Sequence, residues 1–247
     1  MNKFLIVTPL YNVEKWIENA IKSVKAQDYK NFRHVIIDDM STDASAEVIK
    51  KTIGADDRFI FIENTEKKFA MGNIFDTLSS LEVADEEIII NLDGDDWLAT
   101  PRCLSIVNDV YNKTGCVMTF GSYKDYPSGL RGKFSRPLKE DTVKEKRFRD
   151  TPWTTSHLRT YKFKLWNKIE KKDLLDEDGQ FYKKTCDLAL MYPMLEMAGE
   201  KVQFIEKILY VYNTANDLND HKVDHEEQLR IESRIRKHER YKTAYDI

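Results

Sequence analysis

The chain has 247 residues, 41% hydrophobic and 33% charged, with a net charge of −3. That length suits one large α/β domain, and the absence of an excess of basic charge gives no electrostatic case for nucleic acid. Three cysteines, Cys103, Cys116 and Cys186, are too few and too scattered for a Cys-rich zinc site and fit a reducing, cytoplasmic setting. Met1-Asn2-Lys3 runs directly into a strand-like segment, so no signal peptide is expected, and no apolar run approaches a membrane span.

In chain order, Phe4-Leu5-Ile6-Val7 is a short strand broken by Thr8-Pro9-Leu10-Tyr11-Asn12. Val13, Trp16, Ile17, Ala20, Ile21 and Val24 recur at helical spacing, with Asn12 as N-cap. His34 to Ile37 is a second strand, ending in Asp38-Asp39; Ser41, Thr42 and Asp43 then precede a helix through Val48 and Ile49. Phe59–Ile62 is a third strand, and Ala70–Leu81 a helix. Ile88–Leu92 is a fourth strand, running into Asp93-Gly94-Asp95-Asp96-Trp97. Thr100 and Pro101 are placed to open the next helix as N-cap and N1, followed by a strand from Cys116 to Phe120.

Strands alternating with helices imply βαβ units and a mostly parallel sheet, whose ligands bind beyond the carboxyl ends of the strands. Three carboxylates within four positions repel one another, and a hard divalent cation, Mn²⁺ or Mg²⁺, is the natural counter-charge; the alternative is an exposed acidic turn. An Asp-x-Asp after a strand also occurs in metal-dependent phosphatases, but bulky Trp97 stands where a small residue is expected. If the three polar strand ends are neighbours, they form a nucleotide-diphosphate site: Asp38 and Asp39 grip a base or ribose, and Asp93-Gly94-Asp95 holds a metal on the pyrophosphate. Gly-x-Gly-x-x-Gly and Gly-Lys-Ser/Thr loops are both absent.

Beyond residue 122 the periodicity fades. Tyr123 to Arg149 is expected to be a long loop, and Thr151 to Thr160 is dense in hydroxyls and aromatics. Phe163, Leu165 and Trp166 suggest a helix, Asp187–Ala198 another, and Val202–Ile205 and Ile208–Tyr212 two short strands. The charged tail from Glu226 to Tyr241 is expected to form a surface helix or an oligomer contact, as in a homodimer.

Thr8-Pro9-Leu10-Tyr11-Asn12, Ile37-Asp38-Asp39-Met40-Ser41-Thr42-Asp43 and Leu92-Asp93-Gly94-Asp95-Asp96, in that order and spacing, resemble family 2 of the nucleotide-sugar glycosyltransferases. The resemblance implies a GT-A fold, a Rossmann-like α/β nucleotide-binding architecture with a mostly parallel central sheet and a smaller acceptor-side C-terminal portion. Residues 1–121 would be the donor half, 122–222 the acceptor and catalytic half, and 223–247 a terminal helix. It further implies inverting transfer from a UDP-sugar to a hydroxyl of a glycan or glycoconjugate. Thr8, Pro9, Tyr11, Asp38, Asp39, Asp93 and Gly94 would form the donor pocket, and Asp95 would be the main metal ligand. The family's catalytic base is the Asp of a Glu-Asp pair at a helix start; Asp187 matches it, with Cys186 in place of the Glu. His221 would be a further metal ligand or phosphate donor, Lys222 would neutralise the diphosphate, and Trp153, His157 and Arg159 would face the acceptor. Two rival functions remain at this level: a catalytically silent nucleotide-sugar binding module and a metal-dependent phosphohydrolase.

Overall fold

The structure is a computed structural model that describes residues 1–217 and 225–243. Its eight described strands form one mixed sheet in the order β3-β2-β1-β4-β7-β6-β8-β5. The first half supplies β1 (Phe4–Leu10), α1 (Ile17–Lys25), β2 (Phe32–Asp38), α2 (Ser45–Ile53), β3 (Phe59–Glu63), α3 (Phe69–Ser80), β4 (Ile88–Asn91), β5 (Trp97–Leu98) and α4 (Cys103–Thr114). Then come β6 (Met118–Tyr126), α5 (Glu140–Lys144), β7 (Thr160–Lys162), α6 (Phe163–Trp166), α7 (Cys186–Ala198), β8 (Val202–Asn213) and α8 (His225–Lys237). None of the described helices is long and apolar enough to cross a membrane.

β1 and β4 are buried along their whole length and carry long apolar runs because both faces of the sheet are covered there. Alternate residues sort to opposite sides. Leu5, Val7, Val35, Ile37 and Ile89 join a core with α3 and α7. Phe4, Ile6, Ile36, Ile88 and Ile90 join a second core with α1 and α4. β1 pairs in parallel with β2 on one side and β4 on the other, so the three polar strand ends do lie side by side. Leu10 is level with Asp38, and β4 stops opposite Val7, which leaves room for the acidic turn to fold across the end of β1.

Several boundaries differ from the sequence reading. α1 starts at Ile17, not Val13; Asn12 adopts φ 52° and its Oδ1 accepts from the Thr42 N–H at 2.8 Å, so it joins two loops instead of capping a helix. α4 starts at Cys103, and Thr100 accepts from the Arg102 N–H in the preceding turn. The two short strands expected at 202–212 are one strand. Its partner register skips from Gly121↔Ile205 to Ser122↔Ile208, so Glu206 and Lys207 bulge outward, and their exposure looks like a break in the sequence. β6 extends to Tyr126 through polar residues that periodicity alone assigns to loop, because β8 pairs with them.

α7 is buried from Leu188 to Ala198, Glu196 included. Glu196 takes a two-pronged ion pair from Arg149, Nε at 2.6 Å and Nη2 at 3.0 Å, with both side chains almost fully buried. Arg149 also donates to the Ile235 carbonyl at 2.7 Å, and Arg236 donates to the Arg149 carbonyl at 2.6 Å. α8, with Ile231 and Ile235 buried, is thereby fastened to α7 within the same chain. Glu196→Ala would leave Arg149 charged and unpaired in the core and should destabilise by about 3–5 kcal/mol. Urea denaturation measures this, and a loss no larger than for a surface Glu→Ala would contradict the assignment.

Candidate active site

The acidic turn is built by three constraints. The Leu92 N–H donates to the Val7 carbonyl at 3.1 Å, and the Asp96 N–H closes the turn onto the Asp93 carbonyl at 3.1 Å. Gly94 is required by contact and not by a positive φ: a Cβ there would lie 2.5 Å from the Leu10 Cβ. From β8, the Tyr210 hydroxyl donates to Asp96 Oδ2 at 2.7 Å and the Asn213 N–H donates to Asp96 Oδ1 at 2.7 Å. Asp96 is 1% exposed, and burial, reinforced by Asp95 and Asp93, pushes its carboxyl well above the usual range.

Asp93 keeps 43% of its side chain exposed. Its N–H donates to the Tyr210 hydroxyl oxygen at 3.3 Å. Desolvation raises its pKa, Arg159 opposes this, and nearby Asp187 adds to it. Asp95 accepts from Asn216 Nδ2 at 2.7 Å. His157 stacks on Tyr210 with ring centroids 4.2 Å apart, and ligand atoms of Asp93, Asp96 and His157 all lie within 4.8 Å of one another. The oxygen-rich donor set suits a hard divalent cation. Asp96 already has both oxygens engaged by the protein, so Asp93 and Asp95, half-exposed at the rim, are the residues that would hold such an ion.

Arg159, 6% exposed, sits between the two sides of the site. Its Nη1 donates to Asp187 Oδ2 at 3.1 Å and its Nη2 lies 4.0 Å from Asp93 Oδ2. Burial works against the guanidinium charge, and Asp187 and Asp93 outweigh it, so its pKa is raised. Asp187 stands in the first turn of α7, 30% exposed, where the helix dipole favours a carboxylate. A small, solvent-open cleft lies between Ala70 and Ile74 of α3, Asn91 and Asp93, and Cys186 and Asp187.

At the end of β2, Asp38 Oδ1 accepts from the Ser41 N–H at 2.8 Å. Asp39 is buried and accepts from Asn64 Nδ2 at 2.9 Å and from the Lys68 and Phe69 N–H groups at 2.8 and 2.9 Å. Burial opposes its charge, but these bonds overcome that and hold the carboxyl below its ordinary range. Lys67 Nζ lies 2.8 Å from the centroid of the exposed Tyr11 ring and 3.7 Å from Asp39 Oδ2. Pro9 is buried in β1 beside this loop.

Other expected residues sit elsewhere. Thr8 is fully buried, its hydroxyl 2.8 Å from His34 Nε2 inside the sheet. Trp153 packs edge-on against Tyr192 of α7 and is not among the residues lining the cleft. His157 is found against the acidic turn. His221 and Lys222 lie outside the described residues. Lys67, Asn64 and Asn216 are silent in the sequence, because isolated polar residues in loops carry no periodic signal. In the sequence Asp96 stands out only as part of the acidic run, and Tyr210 only as a member of the strand expected at Ile208–Tyr212.

Residues 5–170 match the sequence profile described as glycosyl transferase family 2. The chain belongs to this family. Within it, the chain is 23% identical over 217 residues to the glycosyltransferase GlyA of Streptococcus pneumoniae, covering 85% of this chain and 30% of that one. It is 31% identical over 121 residues to the Escherichia coli UDP-Glc:α-D-GlcNAc-diphosphoundecaprenol β-1,3-glucosyltransferase WfaP, covering 49% and 39%. The chain thus spans less than half the length of these curated relatives. Among solved structures it resembles Staphylococcus aureus TarS 1-349 in complex with UDP-GlcNAc, with TM-score 0.66 at 17% identity, over 94% of this chain and 65% of that one. The family-2 chain therefore has the GT-A fold.

His34 offers a direct check on the buried floor of the site. Burial lowers its pKa to about 3, so it is neutral in the fold and charged in the unfolded chain below about pH 6.5. A depressed histidine contributes no penalty above the unfolded pKa, and stability falls as pH drops below it. From about pH 7 to about pH 5 the protein should lose roughly 2 kcal/mol more than His34→Gln, by urea denaturation. Parallel pH profiles for the two proteins would contradict this.

Proposed function

We propose that the family-2 chain transfers a glycosyl group from a UDP-sugar to an acceptor hydroxyl with inversion at the anomeric carbon. The observation that carries this reading is Arg159, which pairs with Asp187 at 3.1 Å and faces Asp93 at 4.0 Å across the cleft mouth. One guanidinium thereby sets the spacing between a carboxylate at a helix start and the carboxylates at the strand end. UDP as the donor nucleotide draws support from the donor named for WfaP and from the UDP-GlcNAc held by TarS.

In this reading Asp187 accepts the proton of the acceptor hydroxyl as its oxygen attacks the anomeric carbon. The bond from that carbon to the diphosphate breaks on the opposite side, the diphosphate leaves with the electron pair, and a single displacement inverts the centre. Mn²⁺ or Mg²⁺, held by Asp93 and Asp95, would offset the charge on the departing diphosphate. Arg159 orients Asp187 and keeps it from turning away. The exposed face of Tyr11 offers a flat surface for the uracil, with Asp38 and Asp39 holding the loop around it. Neutralisation of the diphosphate by Lys222 and a metal or phosphate contact from His221 complete the proposal.

Asp187→Asn is nearly isosteric and retains an oxygen for Arg159. It should keep UDP affinity while transfer falls by roughly 10²–10⁴-fold. Transfer near the wild-type rate would assign the base elsewhere. A nucleotide-sugar screen separates the rivals: UDP binding with neither transfer nor donor hydrolysis indicates a silent module, and turnover of simple phosphate esters without uridine indicates a phosphohydrolase.

A further inference from the structure

The segment that follows β6 carries a surface unlike the rest of the molecule. Of the large hydrophobic side chains exposed among the described residues, Tyr126, Leu130 and Phe134 fall within nine positions, with Leu130 69% and Phe134 50% exposed. Lys124, Arg131, Lys133, Arg136 and Lys139 accompany them, with Asp125 as the single acidic residue between 124 and 139. The whole chain is net negative, so this stretch concentrates positive charge around an apolar tip.

The exposure is built in. Asp125 N–H donates to the Leu130 carbonyl at 2.8 Å and Gly129 N–H to the Asp125 carbonyl at 2.7 Å, folding the segment back on β6. Gly132 lies flat on the Tyr123 ring, where a Cβ would penetrate to 2.0 Å. Ser156 N–H donates to the Phe134 carbonyl at 3.2 Å. With the backbone pinned on both sides, Leu130 and Phe134 are presented outward. Tyr126 continues the surface into an aromatic edge, its ring 5.2 Å from Trp97 and 6.0 Å from Trp16. Tyr and Trp, apolar with one polar atom, suit the boundary between water and hydrocarbon.

The geometry points to this segment as a docking surface for an anionic lipid bilayer. Apolar tips enter the headgroup boundary and the surrounding Lys and Arg meet acidic headgroups. Charge complementarity selects this occupant over a second copy of the same basic surface, which would repel itself. The surface adjoins the acidic turn: Tyr126 pairs with Asn213, whose N–H holds Asp96, and the Thr214 N–H donates to the Tyr126 carbonyl at 2.9 Å. A docked molecule would hold its acidic turn near the membrane. The docking itself does not depend on the donor assigned above.

Vesicle co-sedimentation tests it, with phosphatidylcholine alone and with phosphatidylcholine containing phosphatidylglycerol. The wild-type chain should pellet with the anionic vesicles, less so as salt rises. Leu130→Ser/Phe134→Ser should weaken that partition by at least about tenfold with UDP affinity unchanged. Lys133→Glu/Arg136→Glu should abolish the preference for anionic over neutral vesicles. Absence of wild-type pelleting with the anionic vesicles would overturn the proposal, as would a double serine variant that pellets like wild type. A dimer in sedimentation velocity that the serine variant dissociates would overturn it too, giving the surface to self-association. Loss of UDP binding in the wild type would instead strike the donor reading and leave this result intact.

Discussion

Asp96 is the carboxylate on which the site's shape depends. Three acidic side chains in four residues repel by about 1 kcal/mol per pair at 4 Å in water, and several-fold more near a protein surface. The fold answers by treating the three differently. Asp96 is turned inward and held by a tyrosine hydroxyl and a backbone N–H from β8; Asp93 is left at the rim facing Arg159; Asp95 is directed to Asn216. The inward member serves as an anchor, and the outward pair stays at the rim, partly exposed to solvent. Asp96 lies between β4 and β5, and β5 pairs with β8, so these bonds fix the turn against the strand that β5 already joins.

The same logic extends to the charge at the centre. A buried guanidinium without partners would be costly, and so would Asp93 and Asp187 facing each other unscreened. Arg159 resolves both, and as a planar, permanently charged fork it can address two carboxylates at once. It lies two residues after His157 and two before Tyr161, and all three side chains reach the site. His157 stacks on Tyr210, and the Tyr161 hydroxyl donates to Asn91 Oδ1 at 2.9 Å. One short segment thus touches the acidic turn, the end of β4 and the start of α7.

The first half was legible in the sequence because its signals are local. β1, β2 and β4 are continuous apolar runs, and each ends in residues that are polar for an evident reason. The acidic turn and the Asp38-Asp39 pair could be found without neighbours. The second half was harder because its elements exist through pairing. β6 beyond Phe120 is polar and stands only because β8 lies beside it, and the bulge at Glu206-Lys207 disguises one strand as two. Individual roles were less legible still. Thr8 follows an apolar run as if at a strand end, yet its hydroxyl turns inward to His34. His157 lies some 60 residues from the aspartates it joins, and no spacing rule links them. Asp187 is singled out only by the family resemblance, since a carboxylate at a helix start is by itself an ordinary feature.

Titration of UDP into the chain by calorimetry, with Mn²⁺ and then with EDTA, tests the central claim most directly. That claim is that an anchored Asp96 holds Asp93 and Asp95 ready for a cation and a diphosphate. The account predicts UDP binding that requires Mn²⁺ and is lost when Tyr210→Phe releases the anchor, while the fold, followed by circular dichroism, persists. Equal affinity for UDP in EDTA and in Mn²⁺ would contradict it.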